Sequence, residues 1–202
     1  MTGNKGTLRQ TAILDAVEEV LTSKGNAGSA MRDFAAAAGV RVGHLQHYFP
    51  TRADLIRAVL ERSLQRSLQR LNDVARFGAA EGPGSTEPLT REHSHRLITA
   101  LLAEHSDITG IRMHVEVWAI ASSDSQIASA VRSFYARYAG HVSELVHHAR
   151  PGLPDMHRDA VAGTIVSLFE GAAVTRSDIG GLRTEDTDAE LIRTAQWLIH
   201  GA

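Results

Sequence analysis

The sequence of 202 residues contains no cysteine, which excludes disulfide bonds, thiolate zinc sites and a cysteine nucleophile. Aromatic residues are scarce, at 5% of the chain. No segment reaches the roughly 18 consecutive apolar residues that a membrane-spanning helix needs. Gln10, Asp15 and Glu18 interrupt the amino-terminal stretch, which therefore lacks the unbroken apolar centre of a secretory signal. These absences predict a soluble, cytoplasmic protein without a membrane partner.

The composition is that of a globular protein, with 43% hydrophobic and 22% charged residues. These values exclude a disordered, collagenous or fibrous chain. The charge is uneven, because residues 1–70 hold ten Lys and Arg against six Asp and Glu, whereas residues 71–202 hold eleven against seventeen. A basic amino-terminal third indicates a polyanionic partner, although chance variation among solvated charges gives the same count.

Apolar residues recur at helical spacing along most of the chain, and no strand pair is apparent. Ser29 is expected to cap the second helix, and Gly25 and Gly39 to end the first two helices in left-handed conformations. Four capping-box pairs predict further helix starts, namely Thr7 with Gln10, Thr51 with Asp54, Ser123 with Gln126, and Thr187 with Glu190.

The sequence therefore predicts an all-α chain of about nine helices. They are expected near residues 7–25, 29–38, 42–48, 51–76, 91–105, 108–121, 123–150, 155–178 and 187–200. Residues 78–88 contain Gly82, Pro83, Gly84 and Pro88 without helical periodicity, which predicts a loop.

The second and third predicted helices are joined by a short link centred on Gly39 and Val40. Glycine permits the positive φ of a sharp turn, and Val40 can fill the small space between the two helices. This pattern is typical of a helix-turn-helix, whose second helix enters the DNA major groove. Tightly connected helices also occur in structural bundles, so the spacing alone leaves both interpretations open.

The segment from Arg32 to Leu55 resembles the helix-turn-helix of the TetR-type (TetR/AcrR) transcriptional regulators. The resemblance covers residues 8–60 and depends on the spacing of Ala38-Gly39-Val40, Gly43, Tyr48-Phe49 and Asp54-Leu55. It implies a DNA-binding domain at residues 1–52 and a helical ligand-binding and dimerisation domain at 53–202. Family members often have serine at the position of Arg41, an aromatic residue at that of Gln46 and lysine at that of Arg52. The resemblance therefore does not predict the operator sequence.

The resemblance also implies which residues meet DNA. Arginine can bond both acceptors on the groove edge of guanine, and glutamine can pair with adenine, whereas tyrosine, threonine and a basic helix start suit phosphate oxygens. The expected DNA-binding residues are Ser29, Arg41, Val42, Gly43, His44, Gln46, His47, Tyr48, Thr51 and Arg52.

For the rest of the chain the resemblance implies a homodimer formed by the last two helices, near 155–178 and 188–200, although burial inside one subunit would explain many of the same apolar residues. It also implies a pocket for a small organic effector, lined by apolar residues with a few polar groups. The same mixture of residues also suits an ordinary helical core. The expected ligand-binding residues are Met113, His114, Val117, Trp118, Phe134, Tyr138 and His141.

These features predict a repressor that binds a near-palindromic double-stranded operator as a homodimer and is released by the effector, without a cofactor and without enzymatic activity. Two alternatives remain: a small metal-dependent helical enzyme using some of the eleven histidines, and a helical dimer without DNA affinity. The histidines have no His-Glu-x-x-His spacing, and His147 and His148 are adjacent, so a metal site is not predicted.

Overall fold

The computed structural model describes residues 3–78, 89–104 and 108–201. Within these ranges the chain forms nine helices and no strand, which confirms the predicted all-α fold. The helices are α1 (Gly3–Lys24), α2 (Met31–Ala37), α3 (Val42–Tyr48), α4 (Arg52–Gly78), α5 (Arg91–Glu104), α6 (Ile108–Ala121), α7 (Ser125–Ala149), α8 (Asp155–Thr175) and α9 (Glu185–His200). Among the described residues, none of the helices combines the length and the hydropathy that a membrane span requires. Residues 79–88, most of the predicted loop, lie outside the described residues.

Three of the predicted helix boundaries are confirmed by their local geometry. Gly25 and Gly39 have φ values of +72° and +62°, so both occupy the left-handed region that glycine adopts without steric cost. At the start of α4, the Asp54 amide donates to Thr51 Oγ1 at 3.1 Å and the Thr51 amide donates to Asp54 Oδ2 at 3.1 Å. This reciprocal pair satisfies two amides that the first turn leaves without helical partners.

Four predicted caps were wrong, and in three of the four cases a different nearby residue has the extended backbone or the acceptor that a cap requires. Helix α1 begins at Gly3, four residues before Thr7. Ala30, not Ser29, precedes α2, and its amide donates to Asp33 Oδ2 at 2.8 Å. Helix α7 is capped by Asp124, which accepts hydrogen bonds from the Gln126 and Ile127 amides. Helix α9 is capped by Thr184, which accepts from the Thr187 amide.

The chain folds as two compact units. The first comprises Met1–Gln65 and Arg112–Val131, and the second comprises Arg66–Ile111 and Arg132–Ala202. The boundary predicted between residues 52 and 53 separates a DNA-binding domain from a ligand-binding and dimerisation domain, whereas the two units are defined by their compactness. The predicted boundary therefore stays a prediction.

The first unit has an apolar core built by α1 to α4 together with parts of α6 and α7. Phe34, Leu45 and Leu55 are completely buried in it. Met113 and Val117 from α6 pack into the same core, as does Ile127 from α7. The helix-turn-helix is therefore not an isolated three-helix module, because later helices complete its core.

The second unit contains α5, α8, α9 and most of α7. Phe169 and Ile199 are buried here, and the fully buried Ser94 of α5 lies 2.8 Å from Nε2 of His200 at the end of α9. Burial lowers the pKa of His200 below its usual 6.5, and the neighbouring charges of Arg91 and Arg150 lower it further. The folded unit therefore favours the neutral imidazole.

We expect acid to weaken this unit through His200. The unfolded histidine takes up a proton as pH falls through about 6.5, whereas the folded one resists it, so the free energy of unfolding declines below that pH. His200→Gln should flatten the decline between pH 7 and 5, as measured by urea unfolding. Asp33, Asp54, Asp124 and Asp188 do not interfere, because their pKa values are lowered from 3.8, so the stability that they contribute is present at higher pH and is lost only as pH falls below about 5. Parallel pH profiles for the variant and the unmodified chain would contradict this role.

Candidate nucleic-acid interface

The turn between α2 and α3 is fixed by backbone hydrogen bonds. The Val40 amide donates to Ala35 O at 2.9 Å and the Gly39 amide donates to Ala36 O at 3.1 Å. This is a Schellman motif, in which a glycine just beyond the helix lets the last carbonyls find donors. Val40 then packs against the core of the first unit, as the sequence predicts. The turn thus sets the direction in which α3 leaves α2.

Helix α3 has one inward and one outward face. Leu45, fully buried, and Phe49, 4% exposed, anchor it in the core. Val42 and Tyr48 are half-buried at its edges. The side chains of Arg41, His44, Gln46 and His47 are exposed on the other face.

The outward face offers donors, acceptors and room for a partner. Tyr48 makes edge-on ring contacts with His44 and His47, at centroid distances of 5.4 and 5.5 Å. A Cβ added at Gly43 would meet no protein atom within 4 Å, so the fold itself does not require glycine at this position. The missing side chain instead leaves backbone accessible to a molecule outside the chain.

Thr51 is exposed beside this face, but its hydroxyl already donates to Asp54 Oδ2 at 2.7 Å. The bonds from Thr51, the side-chain bond first, lower the pKa of Asp54. The hydroxyl oxygen also accepts from the Asp54 amide. Both donors of Thr51, its hydroxyl and its backbone amide, therefore donate to Asp54, and the phosphate contact expected of Thr51 stays a prediction.

Two of the residues expected to bind DNA have internal roles. Ser29 is buried, and its hydroxyl donates to Gly25 O at 2.9 Å. Arg52 Nη2 donates to the backbone oxygens of Asn26 and Ser29 at 2.6 and 3.1 Å, and to Asn26 Oδ1 at 2.7 Å. Its guanidinium lies over the Phe34 ring, 5.8 Å from the centroid. Nη2 of Arg52 therefore binds the α1–α2 link, and a phosphate contact by the rest of the guanidinium stays a prediction.

The residues expected to bind a ligand fall in different units. Met113, His114, Val117 and Trp118 belong to the first unit, where the His114 and Trp118 rings lie 4.7 Å apart and Trp118 is 42% exposed. Phe134, Tyr138 and His141 belong to the second unit.

Near Tyr138 lies Glu170 of α8, a residue that the sequence did not predict at this site. This carboxylate is buried and accepts a hydrogen bond from the Tyr135 hydroxyl at 2.7 Å. Burial, and secondarily the Glu170 charge, raises the pKa of Tyr138 well above its usual value. An isolated glutamate on a helix gives no sequence signal of burial, which explains the omission.

Within the described ranges, no group of three or more His, Asp or Glu residues is placed to hold a metal ion.

The chain is similar to known regulators in both sequence and fold. Residues 13–59 match the family described as bacterial regulatory proteins, tetR family. An uncharacterized HTH-type transcriptional regulator in the dhlA 5' region of Xanthobacter autotrophicus is 27% identical over 143 residues, covering 70% of this chain and 67% of that protein.

Two solved structures illustrate the similarity of fold. A protein of Pseudomonas aeruginosa PAO1 has a TM-score of 0.78 at 18% identity, covering 97% of this chain and 90% of that one. A TetR transcription regulator from Haloarcula marismortui has a TM-score of 0.74 at 17% identity, covering 96% and 97%.

The matched residues 13–59 contain the Schellman turn and the whole of α3. The family match and the geometry therefore identify the same element. Residues 13–59 form a DNA-binding helix-turn-helix of the tetR family type, and over most of its length the chain is similar to a transcriptional regulator.

Proposed function

We propose that this regulator is a repressor that binds a near-palindromic operator as a homodimer and is released by a small organic effector. The observation that carries the proposal is the outward face of α3, where exposed polar side chains surround an accessible glycine on a helix anchored by Leu45 and Phe49. A helix with one buried and one polar face fits the major groove, which is about 12 Å wide. Because the proposed partner is genomic DNA, we place the protein in the cytoplasm.

The residues divide into base-reading and backbone-contacting groups. Arg41, at the N-cap of α3, can present its fork to guanine, while Gln46 can pair with adenine. His44 and His47 flank them, and Gly43 with Val42 allows close approach to the base edges. The Tyr48 hydroxyl suits phosphate oxygens, and so would the Thr51 hydroxyl if it turned from Asp54 to the duplex. Ser29 and Arg52 act indirectly, by holding the segment that carries α3.

The exposed face of α8 supports a homodimer. Ala160, Thr164, Ser167 and Gly171 form an exposed row of small residues one turn apart. The Thr164 and Ser167 hydroxyls donate to carbonyls one turn back, at 2.9 Å each, so they need no partner from another chain. Trp197 of α9 is 59% exposed and adds apolar area. Two copies would place paired recognition helices on one duplex.

Other residues of the helices that are predicted to form the interface are buried within the subunit. Ile165, Ala172 and Ala173 of α8 are each at most 5% exposed. They form part of the interior of the second unit. The dimer contact that we propose therefore uses the outward residues of α8 and α9, and not the whole apolar content of both helices.

The interior of the second unit supports an effector site. Tyr138 is buried, and its hydroxyl has no hydrogen-bond partner among the described residues. Phe134 contacts its ring at 6.1 Å between centroids, and His141 is half-buried one turn away. An apolar wall with a few polar groups is typical of small-molecule pockets. We retain Met113, His114, Val117 and Trp118 as proposed ligand residues, although Met113 and Val117 also serve the core of the first unit.

The effector would act through α4, which runs without a break from the first unit into the second. The ligand would bind more tightly to a conformation in which the spacing of the two recognition helices does not match the operator half-sites. A difference in affinity of about 1–3 kcal/mol between the two conformations would change operator occupancy roughly 5–150-fold. Operator affinity that ignores a ligand shown to bind the protein would contradict this mechanism.

Footprinting on the DNA that flanks the gene for this protein tests the proposed function. We expect two protected half-sites whose centres lie about one helical turn, roughly 34–36 Å, apart. Binding should weaken steeply with salt, because phosphate contacts release counterions. A chain that shows neither protection nor salt-dependent binding would be a helical protein of another function.

Arg41 is expected to read a base pair. Arg41→Ala should lose about 1–3 kcal/mol of discrimination at one operator position, since the bidentate pairing disappears. Arg41→Lys keeps the positive charge but lacks the fork, so it should lose the same discrimination while retaining more non-specific affinity. Binding titrations against a set of single-base operator variants measure both effects. A uniform loss over all operators would assign Arg41 to the phosphate backbone instead.

A further inference from the structure

The link between α1 and α2 is held from two sides by groups that are distant in sequence. On one side, the Asn26 amide donates to Glu116 Oε2 at 3.1 Å, across a separation of 90 residues. On the other side, Arg52 Nη2 donates to both oxygens of Asn26 and to Ser29 O. Asn26 is therefore the point at which α6 and the start of α4 meet within the first unit.

The Arg52 contact closes the segment that contains the recognition helix. Helices α2 and α3 lie between Ser29 and Arg52 in the chain, so the bonds from Arg52 to Ser29 O and Asn26 join the two ends of that segment. The position of Asn26 thus fixes where the segment begins, and Arg52 fixes where it ends. Displacement of Asn26 would move both ends, and α3 with them.

Gly25 shows how closely the Glu116 carboxylate is fitted. A Cβ added at Gly25 would lie 2.9 Å from Glu116 Oε1, closer than Cβ contacts normally come. The residue also has a φ of +72°, which side-chain-bearing residues rarely adopt. The carboxylate therefore occupies the space left by this glycine, directly against the backbone of the link.

From these contacts we infer that Glu116 is a positioning residue for operator recognition, which acts through Asn26 and Arg52 without touching DNA. This inference rests on the proposed function, because it concerns the orientation of α3 on the operator. Glu116 lies on α6, which no sequence pattern connects with the helix-turn-helix. Its carboxylate satisfies an amide just beyond the end of α1 and holds the link in one place.

Two substitutions separate the hydrogen bond from the charge. Glu116→Ala and Glu116→Gln both remove the negative charge, but glutamine retains an oxygen that can accept from the Asn26 amide. We expect Glu116→Ala to lower operator affinity about tenfold, within the range typical of coupled sites. Glu116→Gln should stay close to the unmodified chain. Affinity for scrambled DNA should be equal for the two variants, because their charges are equal.

Amide hydrogen exchange at Asn26 gives a readout that does not depend on DNA. The Asn26 amide should be protected in the unmodified chain and in Glu116→Gln, and should exchange faster in Glu116→Ala. If Glu116→Ala fails to fold, Glu116→Gln still tests the inference. The Asn26 amide should remain protected in this variant, because glutamine keeps the acceptor oxygen without the charge.

The outcomes are distinguishable. Absence of operator binding by the unmodified chain would overturn the proposed function and this inference together. Equal operator affinities for the unmodified chain and Glu116→Ala would overturn the inference alone, and so would loss of operator affinity in Glu116→Gln with Asn26 still protected.

Discussion

Phe34→Ala is expected to unfold the first unit under conditions in which the unmodified chain is folded. The ring is completely buried in the apolar core of the first unit, and its truncation leaves a cavity as well as removing transfer free energy. Such substitutions cost about 3–5 kcal/mol, against a total stability of about 5–15 kcal/mol for a domain. The loss should exceed that of other single truncations in this unit, because the ring also supports the Arg52 guanidinium at 5.8 Å. Operator binding should be lost with it.

Guanidinium chloride unfolding followed by circular dichroism measures the effect. Phe34→Leu serves as the control, because it keeps most of the apolar volume and should cost much less. Val115→Ala removes apolar atoms from an exposed position on α6 and should be nearly neutral. Stability of Phe34→Ala within about 1 kcal/mol of the unmodified chain would mean that this core does not hold the helix-turn-helix together.

Arg176→Ala is expected to have a comparable effect on the second unit. The Arg176 side chain is 4% exposed and makes two bonds to Asp188, from Nε at 2.6 Å and from Nη2 at 2.7 Å, with a third from Nη1 to Leu102 O at 3.2 Å. These bonds lower the pKa of Asp188. Removal of one partner of a buried pair costs about 3–5 kcal/mol. Because Asp188 remains partly exposed and can be rehydrated, we expect about 3 kcal/mol.

The chain offers a matched control for this pair. Arg183 contacts the same carboxylate, with Nε 3.4 Å from Asp188 Oδ2, but its side chain is 53% exposed. Arg183→Ala should cost less than about 1 kcal/mol, as exposed ion pairs usually do. Thermal or denaturant unfolding of the two variants side by side gives the comparison. Equal losses would show that burial does not determine the strength of these contacts.

The sequence predicted the fold where local chemistry determines it. Gly39 ends α2 because a left-handed turn favours glycine, and Thr51 with Asp54 begins α4 through contacts only three residues apart. The exposed and buried faces of α3 also follow from periodicity alone. All of these features are decided within a few residues of chain, so a single sequence contains them.

Contacts between distant segments could not be predicted in this way. Nothing in the sequence indicates that Arg52 binds Asn26, or that Glu116 lies against Gly25, because these contacts depend on how several helices pack together. For the same reason the sequence did not indicate that Met113 and Val117, which are expected to bind a ligand, also complete the core of the helix-turn-helix. Helical periodicity identifies an inward face but not the neighbour that covers it.

The two faces of α3 have a consequence for how such a regulator diversifies. Leu45 and Phe49 secure the helix, whereas Arg41, His44, Gln46 and His47 point outward and are absent from the apolar core. Exchanging these outward residues should alter which DNA is chosen at little thermodynamic cost, since surface substitutions usually change stability by no more than about 0.5 kcal/mol. If these residues read the operator as proposed, a library randomised at the four positions should reach new target sites without compensating changes elsewhere in the chain.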